Sequence, residues 1–153
     1  MAKTKVWFVA LIVGLFATFG AHAESFGTKD EAIALVNKAA AFVKSEGKDK
    51  ALAEFSNPAG KFVDRDLYII AYAMDGTRLA HPHNPKLIGK SAADAKDFDG
   101  KPYGKEMVDL ANGAGNGWVD YKFTDPVTKK LSDKSTYLLK VGDVFLACGI
   151  YKH

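Results

Sequence analysis

The chain has 153 residues, 21 of them basic and 18 acidic, and 48% are hydrophobic. That is the profile of one ordinary folding unit with enough apolar chain to bury a core. The formal charge of +3 falls to +1 once the two lysines of the amino-terminal segment described next are removed, which leaves no electrostatic case for nucleic acid, and a single cysteine, Cys148, excludes an intramolecular disulfide.

The amino terminus reads as a secretory signal. Lys3 and Lys5 precede an unbroken apolar run, Val6–Phe19, and Ala21-His22-Ala23 supplies the small-x-small cleavage pattern. The run is shorter than the roughly 20 residues that span a bilayer. Cleavage is expected before Glu24, with residues 1–23 removed and residues 24–153 forming one domain. The mature chain then carries 19 basic against 18 acidic residues. With no second apolar span, a soluble product in the periplasm is expected.

Thr28-Lys29-Asp30-Glu31 fits a capping box at the start of a helix. After it, Ala32, Leu35, Ala39, Phe42 and Val43 recur at helical spacing, widened by Ile33, Val36 and Ala40. Gly47 interrupts this helix, Asp49–Phe55 adds a further turn or two, and Ser56-Asn57-Pro58-Ala59-Gly60 ends it. Asp66–Met74 then reads as a strand, and Asp75-Gly76 as a tight hairpin turn into Thr77–His81. An irregular stretch, Pro82–Pro102, precedes a short helix at Tyr103–Asn112. Three strands follow, at Trp118–Phe123, Ser135–Val141 and Val144–Lys152, joined by turns. Hairpin connections throughout predict an α+β fold, a long N-terminal helix packed on a five-stranded antiparallel sheet. Within Asp66–Met74, alternation puts Tyr68, Ile70, Tyr72 and Met74 on one face and Leu67, Ile69, Ala71 and Ala73 on the other. The smoother face suits the helix, and the tyrosine face suits a cavity under the middle loop.

The segment His81-Pro82-His83-Asn84 raises a metal reading, a metal-dependent enzyme or metal carrier using both histidines. Pro82 removes a ladder donor and turns the chain, and a zinc site needs three or four protein ligands. The expected arrangement is a strand exit with His81 inward and His83 facing solvent, with no metal and no cofactor. Catalysis is not expected either. No nucleophile has an activating context, and no glycine-rich loop is followed by Lys-Ser/Thr. Cys148, within an apolar run, is expected to be a small buried hydrophobe.

Three stretches in order carry a resemblance: Asp66–Ser91, Asp97–Pro126 and Asp133–Tyr151. Their set of strand-Asp-Gly followed by His-Pro, Gly-Lys-Pro-Tyr-Gly, Gly-Trp-x-x-Tyr, Lys-x-x-Tyr and a closing Gly-Ile-Tyr resembles the single Cache domain family of type 2. These are PAS-like extracytoplasmic sensor modules. The resemblance implies a pocket between sheet and overlying loop for small molecules, often short-chain carboxylates, and a role in signal transduction. It also implies a membrane receptor or kinase as partner. By motif, His81 and Pro82 match the family's His-Pro, Trp118 and Tyr121 its Gly-Trp-x-x-Tyr, and Lys134 and Tyr137 its Lys-x-x-Tyr. The family's tryptophan in the final hairpin is replaced by Gly142–Gly149. Receptors of the family continue into a membrane helix and signalling domain, where this sequence stops at His153.

A small carboxylate needs a cation, neutral donors and an apolar wall. Lys134 is the expected cation, Tyr121, Tyr137 and His81 the donors, and Trp118 the wall, with Tyr68 on the tyrosine face. Arg65, at the start of the first strand, is the alternative anchor. Arg78, beside the hairpin turn, is expected in solvent. Alternation sends Trp118 and Tyr121 to opposite faces unless a bulge intervenes.

Overall fold

The computed structural model describes residues 26–152, so the expected signal segment lies outside the described residues. Helix α1 spans Lys29–Glu46. Its capping box is complete: Glu31 N–H donates to Thr28 Oγ1, and the Glu31 carboxylate accepts from the Thr28 N–H at 2.8 Å. Gly47 sits at φ +87 and divides α1 from α2 (Lys48–Phe55). Neither helix, nor any other among the described residues, is long and apolar enough to cross a membrane.

The expected first strand is divided. Leu67–Tyr68 (β2) pairs with Val63–Asp64 (β1), while Ile70–Ala73 (β3) enters the main sheet. The other strands are β4 (Arg78–Ala80), β5 (Asn116–Thr124), β6 (Leu131–Val141) and β7 (Val144–Tyr151). Together with β3 they form an antiparallel sheet in the order β4-β3-β7-β6-β5. The expected α+β architecture of a helix packed on five antiparallel strands is therefore the observed one.

The two sheet faces bury different chemistry. Leu67, Ile69, Ala71, Leu146 and Cys148 pack with Val36, Ala39, Phe55 and Phe62 under the helices. The centre of that layer is Phe55 against Phe62, edge to face at 4.8 Å, each 1% exposed. Phe42 is only half-buried at its margin. The opposite face carries Tyr68, Ile70, Tyr72, Tyr121, Leu138 and Phe145. It is covered by Tyr103, Met107 and Ala111 of α3 (Tyr103–Asn112) and by Ala92 of the preceding loop. The alternation of Asp66–Met74 thus separates a helix-packing face from an aromatic face, as the side-chain pattern requires. Gly104 lets α3 seat on that loop, because a Cβ there would meet the Ala92 carbonyl oxygen at 1.6 Å.

Candidate functional site

The aromatic face holds a buried lysine. Lys134 leaves β6 directly opposite Tyr121 of β5 and Tyr151 of β7. It is 2% exposed. Its Nζ donates to the Tyr68 and Tyr151 hydroxyls at 2.9 Å each. It also lies over the rings of Tyr68 and Tyr151 at 4.7 Å and of Phe123 at 5.3 Å. Those π faces offset part of the cost of burying the ammonium. Among the described residues no carboxylate stands within ion-pair distance of it. An ammonium has three donors, and two are committed to tyrosines.

Gly149 makes room for this lysine. It pairs with Thr136 across β6–β7, and a Cβ at 149 would lie 2.0 Å from Lys134 Cε. Around the ammonium the hydroxyls form a chain. Tyr151 O–H donates to the Thr124 carbonyl at 3.2 Å, Tyr68 and Tyr151 stand 3.3 Å apart, and Tyr121 and Thr136 hydroxyls are 3.1 Å apart. Burial pushes the Tyr68 phenol up to about 12 and raises those of Tyr121 and Tyr151 further. All three are neutral hydroxyls at physiological pH.

His81, just past β4, is 4% exposed and stands 5.5 Å from the Tyr68 ring. Its Nδ1 accepts the backbone N–H groups of His83 (3.2 Å) and Asn84 (3.1 Å). The proton of the neutral ring therefore sits on Nε2, which is free to donate. Burial, then the charges of Lys134, His83 and Arg78, lower its pKa to about 3. His83 is exposed, with its ring edge-on to Tyr68 at 4.7 Å. Among the described residues no group of three or more His, Cys, Asp or Glu is placed to hold a metal.

This depressed pKa carries a stability consequence. Between about 3 and the ordinary 6.5 the unfolded chain binds a proton that the folded chain refuses, so stability falls as pH drops through that window. Below pH 6.5 the contribution approaches about 1.4 kcal/mol per pH unit. His81→Asn, whose Oδ1 can accept the same two amides, is expected to flatten the decline in unfolding free energy between pH 6.5 and 5. Denaturant melts with equal slopes for both proteins would contradict it.

The remaining candidates are placed elsewhere. The β5–β6 ladder runs without a shift from Asn116↔Leu139 to Thr124↔Leu131, so no bulge brings Trp118 round to Tyr121. Trp118 and Tyr137 pack together at 5.4 Å on the helix side, where Lys29 lies over the indole. Arg65 is exposed in a turn at φ +58, ion-paired with Glu31 and Asp64 at 2.8 Å. These three do not join the buried cluster, while His81, Tyr68, Tyr121 and Lys134 do. Tyr151 and Tyr103, which the sequence marks only as parts of the Gly-Ile-Tyr and Gly-Lys-Pro-Tyr-Gly motifs and not as site residues, belong to the same face. Tyr103 stacks on Tyr121 with centroids 4.1 Å apart and rings nearly parallel.

Arg78 corrects an expectation. It is 7% exposed, not solvated, because residues 89–91 fold back along β4. Gly89 N–H donates to the Arg78 carbonyl, and Arg78 N–H to that of Lys90. Its guanidinium lies 5.9 Å from the Tyr72 ring, on the aromatic face. A groove of about 290 Å³ opens onto Lys134 and Tyr121 between β5, β6 and the loop carrying Asp97 and Asp99. Asp97 fastens that loop to the sheet edge by accepting the Lys122 N–H at 3.0 Å, and Asp99 pairs with Lys122 at 2.8 Å.

The family model of single Cache domain 2 matches residues 22–152. The chain belongs to the single Cache domain 2 family. Solved Cache-type structures share its fold. One is a Cache chemosensory domain described for carboxylic acid recognition, with TM-score 0.68 and 23% identity, covering 81% of this chain and 92% of that one. Another is a methyl-accepting chemotaxis protein from Vibrio parahaemolyticus RIMD 2210633, with TM-score 0.67 and 25% identity, covering 80% and 87%. The sensor histidine kinase MctS of Rhizobium johnstonii (strain DSM 114642 / LMG 32736 / 3841) is 30% identical over 77 residues, which are 50% of this chain and 16% of the kinase. This Cache domain thus spans a small part of that relative's length.

Proposed function

We propose that this Cache domain is an extracytoplasmic sensing module that binds a short organic acid on the aromatic face of its sheet. The observation that carries this reading is Lys134, a buried cation without a carboxylate partner among the described residues, ringed by hydroxyls. An anion arriving there finds a charged donor, the Tyr68 and Tyr121 hydroxyls and the His81 Nε2–H, all desolvated beforehand. The similarity to a domain described for carboxylic acid recognition supports the same chemistry. The relatives among chemotaxis proteins and histidine kinases support a membrane receptor or kinase as the signalling partner. The signal segment expected at the amino terminus supports export to where such ligands arrive.

The reading is one of binding, not turnover. An imidazole with a pKa near 3 is a poor base at neutral pH, and the phenols keep their protons. With Nδ1 engaged by two amides, His81 could offer a metal only its Nε2, the same atom that this reading assigns to the organic acid. The test is thermal unfolding of the mature chain with acetate, propionate, pyruvate and lactate, with and without a chelator. Any ligand at 100 times its Kd should stabilise by about 2.7 kcal/mol, a shift of several degrees, unaffected by chelator. No shift with any organic acid, or stabilisation that a chelator abolishes, would overturn the proposal.

A further inference from the structure

The turn between β5 and β6 takes no part in the site on the aromatic face. Asp125, 0% exposed, holds that turn from inside. Its carboxylate accepts the Val127 N–H at 2.8 Å and the Thr128 hydroxyl at 3.0 Å. Its backbone N–H donates to the Lys130 carbonyl, and its carbonyl accepts from the Lys129 N–H, both at 2.9 Å. So fastened, the turn still keeps apolar side chains in water: Val127 is 39% exposed and Leu131, at the start of β6, 46%. Beside them Lys129 and Lys130 are exposed, and among the described residues neither makes an ion pair. Lys129 has φ +60, a left-handed backbone that glycine or asparagine adopts at lower cost. From Thr124 to Ser132 the one acid is the buried Asp125. A stiff tip that sets exposed apolar side chains beside unpaired ammoniums has the chemistry of a membrane-interface contact. Apolar groups enter the headgroup boundary, and lysines stay at the phosphates.

The place of the tip in the fold points the same way. Gly27 N–H donates to Asp66 at 2.7 Å, directly before β2. The Tyr68 hydroxyl, in β2, stands 3.3 Å from that of Tyr151, which donates to the carbonyl of Thr124, the last residue of β5. The amino-terminal end of the described chain and the β5–β6 turn therefore lie at one end of the sheet. Eight residues separate Gly27 from Phe19, the end of the apolar run expected to enter the membrane during export. Extended, they reach at most about 29 Å, so this end of the domain emerges beside the bilayer. The opposite end carries the β6–β7 turn, where Lys48 pairs with Asp143. We infer that the β5–β6 tip docks the domain on an anionic phospholipid bilayer, with Val127 and Leu131 at the headgroup boundary and Lys129 and Lys130 on lipid phosphates. This surface is separate from the buried Lys134, so the inference does not depend on the organic-acid reading. It gives the domain a means of staying beside a membrane receptor once the expected signal segment is removed.

The experiment is sedimentation of the mature chain with two kinds of vesicle and no organic acid. One kind is phosphatidylglycerol and phosphatidylcholine in equal parts, the other phosphatidylcholine alone. Partitioning onto the anionic vesicles is expected, weakened by salt. Each lysine near an anionic surface is worth about a fivefold change, so Lys129→Gln with Lys130→Gln should lower the partition coefficient roughly 25-fold. Val127→Ser with Leu131→Ser should lower it about tenfold. Lys44→Gln with Lys140→Gln removes the same charge from exposed positions at the opposite end of the domain and should change it by less than about threefold. All six positions are exposed, and melting temperatures equal to wild type show that each variant is folded. Absence of partitioning onto anionic vesicles overturns the inference. So do equal losses from the two lysine pairs, which would be an effect of net charge alone, and an apolar pair whose replacement changes nothing.

Discussion

Lys134→Met is expected to weaken organic-acid binding by roughly 10- to 150-fold while the ligand-free protein melts at the same temperature or higher. The first half follows from the loss of a charge-assisted bond to a desolvated carboxylate, about 1.5–3 kcal/mol. The second follows from what Lys134 does in the free protein. The residue is 2% exposed, and its ammonium is held by two neutral phenols and three π faces, partners that do not neutralise its charge. Replacing a buried ion by an apolar chain of similar length is often neutral or stabilising. The phenols left behind stand 3.3 Å apart, and Tyr151 keeps its bond to the Thr124 carbonyl. A structural lysine would behave oppositely, with melting collapsing and affinity following only as folding fails. Calorimetry and thermal melts on the same samples separate the two. Unchanged affinity for every acid that wild type binds would move the anchor away from Lys134.

Sequence periodicity reached the frame of this site. The capping box at Thr28–Glu31, the Asp75-Gly76 hairpin and the two faces of Asp66–Met74 are local properties, set by backbone donors, turn geometry and the period of two. Alternation also put Trp118 and Tyr121 on opposite faces, and the unshifted β5–β6 register keeps them there. What was not legible was pairing at a distance. Arg78 beside a hairpin turn looks solvated until Gly89–Ser91 is known to fold against it. Tyr151 sits in β7, a strand buried on both faces along its whole length, so no polar alternation marks which side chains meet Lys134. The β6–β7 register alone brings Tyr151 opposite it. Tyr137 and Lys134 share a motif three residues apart, and in a strand an odd spacing sends them to opposite faces.

Gly149→Ala tests whether that register builds the site. The glycine adopts no left-handed backbone angle, so the substitution adds volume and nothing else. The added methyl would stand 2.0 Å from Lys134 Cε, 3.1 Å from its Cδ and 2.7 Å from Thr136 Oγ1. The lysine stem must therefore leave its track, drawing the ammonium from Tyr68 and Tyr151. Overpacking of this kind costs about 1–3 kcal/mol, and binding of organic acids should fall at least as far as in Lys134→Met. The distinguishing observation is a double-mutant cycle. In a Lys134→Ala background the stem is gone, and Gly149→Ala should then cost less by about 1 kcal/mol or more. Additive costs would mean that the methyl is accommodated by Thr136 or by the strand itself. Gly149 would then play no part in placing the cation.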